Sequence, residues 1–138
     1  MRIGLDLGGT KTSGILMNQN GEILARHRVE SPRGDYQATL FMLRDLVRHL
    51  AGDTRGLIHV GIGIPGSISP ATGLVKNANS TWLIGKPLLQ DVTQILGRPV
   101  RIANDADCFA LSEAVDGAGA GYRTVFGVIL GTGVGAGI

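Results

Sequence analysis

What most limits the fold of this chain is a change of rhythm at Ser31-Pro32-Arg33-Gly34. Before it lie three short apolar or alternating runs, Arg2 to Leu7, Ser13 to Asn18 and Glu22 to Glu30. They are separated by Gly8-Gly9-Thr10-Lys11-Thr12 and by Asn18-Gln19-Asn20-Gly21, which read as tight turns. Connections that short predict an antiparallel meander. After the break, helical and strand patterns alternate. Asp35 can cap a helix in which Tyr36, Leu40, Leu43, Val47 and Leu50 share one stripe, and Gly52 stops it. Leu57 to Ile64 reads as a buried strand, Pro65 to Gly73 as a small hairpin and Asn77 to Trp82 as a polar loop. Leu88 to Gly97 reads as a short amphipathic helix, Val100 to Ala103 as a strand and Asp105 to about Val115 as a helix. Gly117 to Gly121 is a flexible join, and Thr124 to Leu130 is the last clear strand. The expectation is an α/β fold: one mixed sheet, three antiparallel strands followed by alternating helices and parallel strands, covered on both faces.

Composition narrows the function classes. A chain of 138 residues suits one domain, and 43% hydrophobic residues suffice for a core. With 22 glycines and only 4% aromatics, that core should be aliphatic, with backbones packed closely. The net charge is +2 without any basic run, which gives no ground for nucleic-acid binding. The single cysteine, Cys108, falls on a helical face expected to be buried, and it excludes a disulfide within the chain. His27, His49 and His59 are scattered without ligand spacing, so no metal cluster is argued from them. No leader and no bilayer-length apolar run is visible, and a cytoplasmic location with no membrane partner is expected. The chain stops in an apolar, glycine-rich turn, as the N-terminal part of a longer protein would. Residues 1–121 are expected to form one domain and 122–138 to open a second. Leu5-Asp6-Leu7-Gly8-Gly9-Thr10 and Ile129-Leu130-Gly131-Thr132-Gly133 echo one another as apolar strand followed by a Gly/Thr turn, which suggests a duplicated hairpin.

Four stretches carry chemistry. In Val100 to Cys108 a strand passes through Asn104-Asp105 into a helix. Asn104 suits the cap, and Asp105 falls in the first turn, where the helix dipole favours an ionised carboxylate. A fixed carboxylate at the carboxyl end of a strand is a natural general base, since open α/β sheets bind ligands at that edge. Asp107, two residues on, points to another face, so the two do not form a dyad. In Asp6-Leu7-Gly8-Gly9-Thr10-Lys11 the glycines let backbone N–H groups approach an anion, while Thr10 adds a hydroxyl and Lys11 a positive charge. Asp6 could hold Mg²⁺ through water. This is no Walker loop, because the spacing misses by one residue and a strand follows. Gly131-Thr132-Gly133 is the second anion-binding candidate. The amides and hydroxyls of Asn77 to Thr81 suit a polyhydroxylated ligand, and Trp82 is expected to anchor that loop to the core.

Asp6-x-Gly8-Gly9-Thr10-Lys11, Gly63-Ile64-Pro65-Gly66, Asn104-Asp105-Ala106 and Leu130-Gly131-Thr132-Gly133, in that order across essentially the whole chain, resemble the ROK family of sugar kinases and repressors. Val75 to Leu83 looks most like the fructokinase (manno(fructo)kinase) branch, with N-acetylglucosamine kinase and glucokinase as near alternatives. The resemblance implies an actin-like ATPase (ribonuclease H-like) fold with two domains and a cleft between them. It implies transfer of a phosphoryl group from MgATP to the 6-hydroxyl of a hexose, fructose first, with Asp105 as base. Gly66, Asn79, Asn104 and Asp105 would hold sugar hydroxyls. Gly8, Gly9, Thr10, Lys11, Gly131, Thr132 and Gly133 would hold ATP phosphates, with Asp6 near the magnesium. A structural Zn²⁺ site and further sugar contacts would lie after Ile138, leaving the fragment alone inactive, and the full-length protein could be a homodimer. One departure is Asp107, where these kinases usually have Asn. The family's sugar-responsive repressors carry a helix-turn-helix before the first strand; with Met1 as the start, so close to that strand, a kinase is expected ahead of a repressor.

Overall fold

The computed structural model describes residues 1–54, 56–130 and 134–138. Three strands open the chain, β1 (Arg2–Leu7), β2 (Lys11–Met17) and β3 (Ile23–Glu30). They pair antiparallel, with Arg2 opposite Met17 and Lys11 opposite Glu30. Helix α1 (Tyr36–Ala51) follows. Asp35 accepts from the Ala38 amide at its start, and Gly52 ends it at a positive φ of 47°, where a residue without Cβ fits most easily. The rest of the chain forms β4 (His59–Ile64), β5 (Ser67–Ile68), β6 (Val75–Lys76), a 3₁₀ turn at Thr81–Leu83, α2 (Leu88–Leu96), β7 (Val100–Asn104), α3 (Asp105–Asp116), β8 (Gly127–Leu130) and β9 (Val134–Gly137). The main sheet has the order β3-β2-β1-β4-β7, with β4 parallel to both β1 and β7. The expected mixed sheet is therefore present.

Period-two patterning decides which face is buried. Ile3, Leu5 and Leu7 of β1, Leu16 of β2 and Val60, Ile62 and Ile64 of β4 point into one core. Leu40, Leu43, Leu46, Val47 and Leu50 of α1, with Leu88 and Val92 of α2, cover that face. Aliphatic packing here is close enough to need glycine. A Cβ at Gly14 would stand 2.6 Å from Leu50 Cδ1 and 2.8 Å from Leu5 Cδ2. Trp82 packs against the same core and donates from Nε1 to Thr39 Oγ1 at 3.3 Å, so it anchors its loop as expected.

Four expectations need correction. The sheet is not fully covered on both faces among the described residues: the side bearing Gly4, Asp6, Gly61, Gly63, Arg101 and Ala103 is met at one end by α3 and by Ile129 of β8, and leaves a cavity of about 620 Å³. Strand β4 starts at His59 rather than Leu57, because Gly56 takes φ 100° and turns Leu57 out to 73% exposure. The last strand begins at Gly127 rather than Thr124. Cys108 is exposed, not buried. Helix α3 buries only Ala106 and Ala110, and packs on the β8–β9 hairpin through bare backbone. A Cβ at Gly137 would lie 2.5 Å from the Ala106 carbonyl oxygen. Its larger side chains, Phe109, Leu111 and Val115, are thus left exposed.

Candidate active site

The topology brings the Asp6–Lys11 turn, the turn after β4 and Asn104-Asp105 to one rim. Strands β1, β4 and β7 run parallel, so their carboxyl ends, with Gly8, Gly66 and Asp105 just past them, face the same edge. Asp6 is level with Gly63, and Gly63 with Ala103. Gly63 keeps the space between the two carboxylates open: a Cβ there would lie 3.6 Å from Asp105 Cα and 3.8 Å from Cys108 Sγ. Asp6, Asp105 and Cys108 line the same cavity, which Ile129 of β8 also reaches.

Asp6 remains open to solvent, yet enough protein surrounds it that desolvation is the largest cause raising its pKa above the ordinary 3.8. The Asp105 carboxylate pushes it up further, and Arg28 pulls it back down. Two carboxylates that repel one another at an open edge suit a divalent cation, whose charge relieves the repulsion. Among the described residues no group of three or more His, Cys, Asp or Glu side chains gathers to bind a metal directly. A cation here would keep most of its waters, as Mg²⁺ does. Partial desolvation against the cavity wall pushes the Cys108 thiol up, and Asp105, Asp107 and Asp6 push it further, so it carries little thiolate at neutral pH.

Asn104 places Asp105. Its Oδ1 accepts from the Ala106 and Asp107 amides at 2.9 and 3.2 Å, while its Nδ2 donates to the Gly66 carbonyl at 2.9 Å. One side chain thereby starts α3 and ties it to the turn after β4. Asp105 Oδ1 also accepts from the Ala106 amide at 2.8 Å, which orients its carboxylate. Gly66 is buried, and a Cβ there would meet the Lys76 carbonyl at 2.8 Å. Asn79 is exposed beside this turn, its amide donating to the Pro65 carbonyl at 3.1 Å.

The Gly8-Gly9-Thr10 turn joins β1 to β2, and Lys11 begins β2 exposed. No side chain fits at Gly8, where a Cβ would stand 2.5 Å from the Lys11 carbonyl oxygen. Ser31, just past β3, clamps this turn. Its Oγ donates to the Gly8 carbonyl at 2.7 Å and contacts Thr12 Oγ1 at 2.8 Å, and its amide donates to the Thr10 carbonyl at 2.9 Å. Arg33 Nη2 donates to Thr10 Oγ1 at 2.7 Å and sets a guanidinium beside the turn. Sequence reasoning passed over Ser31 and Arg33, taking their stretch as a break only. The signal was present: pairing Lys11 with Glu30 brings Ser31, the first residue after β3, beside Thr10. Gly131, Thr132 and Gly133 lie outside the described residues, although β8 and β9 on either side pair antiparallel as the internal echo requires.

The ROK family model matches residues 2–138. The chain is 44% identical over 137 residues to an N-acetyl-D-glucosamine kinase of Haemophilus influenzae, covering 99% of this chain and 45% of that protein. It is 45% identical over 140 residues to one of Yersinia pestis, covering 100% of this chain and 54% of that protein. The chain thus spans about half the length of these curated relatives. Among solved structures, it resembles a ROK family glucokinase from Streptomyces griseus in complex with glucose and AMPPNP. The TM-score is 0.85 at 31% identity, over 98% of this chain and 43% of that one. It also resembles an inorganic polyphosphate/ATP-glucomannokinase from an Arthrobacter species, with TM-score 0.82 and 35% identity over 97% of this chain and 56% of that one. These likenesses confirm the expected actin-like α/β fold. The strand-end motifs, their shared rim and the match along the whole sequence lead to one conclusion: the chain belongs to the ROK family.

Proposed function

We propose that the full-length protein is an ATP-dependent sugar kinase in which this chain supplies the base, part of the sugar site and one phosphate turn. The observation that carries the reading is the convergence of Asp6, Asp105 and the Gly8-Gly9-Thr10 turn on one sheet edge. Phosphoryl transfer asks a protein mainly for alignment and charge stabilisation. Asp105 accepts the proton of the sugar 6-hydroxyl as its oxygen bonds to the γ-phosphorus. The bond from that phosphorus to the bridging oxygen breaks, and ADP leaves with the electron pair. The N–H groups of Gly8, Gly9 and Thr10, with Lys11, face phosphate oxygens, and Gly131, Thr132 and Gly133 are assigned the same role. Asp6 would hold Mg²⁺ through water; the ion supplies charge neutralisation on the phosphates. Asn79, Gly66 and Asn104 hold sugar hydroxyls. Asn104 has one amide hydrogen beyond the bond to Gly66 with which to do so.

For the sugar itself, the cited relatives named as N-acetyl-D-glucosamine kinases support the amino sugar ahead of the fructose suggested by Val75 to Leu83. Residues 122–138, whose hairpin forms its own two-stranded sheet, are read as opening a second domain that closes the cleft. No helix among the described residues is long and apolar enough to cross a membrane, and a cytoplasmic homodimer belongs to the same reading.

A coupled ATPase assay on the full-length protein with N-acetylglucosamine, fructose, glucose and mannose tests it. Turnover should be highest with N-acetylglucosamine. General-base catalysis contributes about 10²–10⁴-fold, so Asp105→Asn should lose at least about a hundredfold in kcat with sugar affinity little changed. Sugar binding without ATP turnover in the wild type, or near-normal turnover in the variant, refutes the assignment.

A further inference from the structure

Ser80 is 2% exposed, and its hydroxyl has no hydrogen-bond partner among the described residues. The other three buried polar side chains are bonded: Thr12 and Ser31 to each other, Ser31 also to Gly8, and Thr39 to the Asp35 carbonyl. An orphan hydroxyl is costly where it stands, and a buried one calls for an explanation. Its position supplies one. A Cβ on Gly9 would lie 3.2 Å from Ser80 Oγ, so the hydroxyl sits directly under the tip of the Gly8-Gly9-Thr10 turn. On either side of Gly9 the turn is fixed, because Ser31 engages the Gly8 carbonyl through Oγ and the Thr10 carbonyl through its amide. The peptide between Gly9 and Thr10 lies inside those clamps. Gly9, without a Cβ, lets it rotate at little steric cost.

We infer that Ser80 is a positioning residue for the phosphate turn: its hydroxyl donates to the Gly9 carbonyl when the Gly9–Thr10 peptide turns its N–H toward a bound phosphate. A peptide's N–H and C=O point in opposite directions. Aiming the Thr10 amide outward at an anion therefore swings the Gly9 carbonyl inward, onto the buried hydroxyl that lacks a partner among the described residues. Ser80 follows Asn79 directly, so the same loop that presents an amide to the sugar steadies the nucleotide turn. This inference rests on the reading of Gly8-Gly9-Thr10 as a phosphate site.

The test uses the full-length protein with Ser80→Ala and the nearly isosteric Ser80→Cys, whose thiol is a weak donor. Thermal unfolding is measured without ligand, and AMPPNP affinity is measured by calorimetry with magnesium present. Ser80→Ala should melt at or above the wild-type temperature and bind AMPPNP about tenfold more weakly, with KM for ATP rising and kcat changing less. Ser80→Cys should fall between the two, and it carries the test should the alanine variant not fold. A lower melting temperature in the ligand-free variants, or AMPPNP affinity within about twofold of wild type, overturns the role of Ser80. Wild-type protein that binds no AMPPNP overturns the phosphate reading itself, a result seen without any variant.

Discussion

Asn104→Ala removes both ties that fix Asp105, and the structure allows their worth to be separated. Oδ1 caps two amides of α3, and Nδ2 holds the Gly66 carbonyl. Replacing a capping Asn by Ala costs about 1 kcal/mol. A further neutral hydrogen bond contributes about 1 kcal/mol. The expected loss for Asn104→Ala is therefore about 2 kcal/mol, a factor of roughly 30 in the folding equilibrium. Asn104→Ser keeps a capping oxygen but cannot reach Gly66, and should lose only about half as much, or about 1 kcal/mol. Urea unfolding of the full-length protein gives the free energies. Hydrogen exchange at the Asp107 amide gives the local effect: it should lose protection in the alanine variant and largely keep it in the serine variant, while the Ala106 amide retains its bond to Asp105 Oδ1. Stability is the readout here because position 104 is also a proposed sugar contact, which would confound turnover. An alanine variant within about 0.5 kcal/mol of wild type, or a serine variant as costly as alanine, would refute the two-tie account.

Asp6→Asn should stabilise the ligand-free protein at neutral pH. A folded-state carboxyl pKa raised above its unfolded value means that stability falls as pH rises through that range, so the gap in melting temperature between variant and wild type should widen from pH 4 to pH 7. A gap that narrows would show the carboxylate to be favourably held. Gly14→Ala should destabilise by about 1–3 kcal/mol through overpacking against Leu50 and Leu5, with KM for sugar and ATP unchanged; unfolding within 0.5 kcal/mol of wild type would mean that α1 shifts freely. Cys108 should react slowly with iodoacetamide at pH 7.5 despite its exposure, and Asp107→Asn should speed that reaction by removing a charge that raises the thiol pKa. An unchanged rate would remove Asp107 as a cause.

Short-range patterning made much of the fold legible. The alternation in β1, the Asp35 cap, the Gly52 stop and the Asn104-Asp105 helix start all act within a few residues, so they are readable from the chain itself. The strand ends that carry the site followed, because a parallel sheet aligns its carboxyl ends wherever its strands are found. Contacts with no local signature were missed. Cys108 was placed on a buried face because apolar residues recur around it, but α3 packs through Ala106 and Ala110 onto glycine backbone, and a helical stripe does not say whether anything covers it. The open sheet face behind Asp6 was missed for the same reason. The clamp by Ser31, the Arg33 guanidinium beside Thr10 and the partnerless Ser80 hydroxyl each depend on residues some twenty to seventy positions apart in the chain. Sequence alone therefore determined which elements form and which candidate residues they carry, since both follow from propensity, capping and spacing. Only the tertiary structure decided which backbone groups those residues hold in place, because that is set by the register of strands and the depth at which side chains meet.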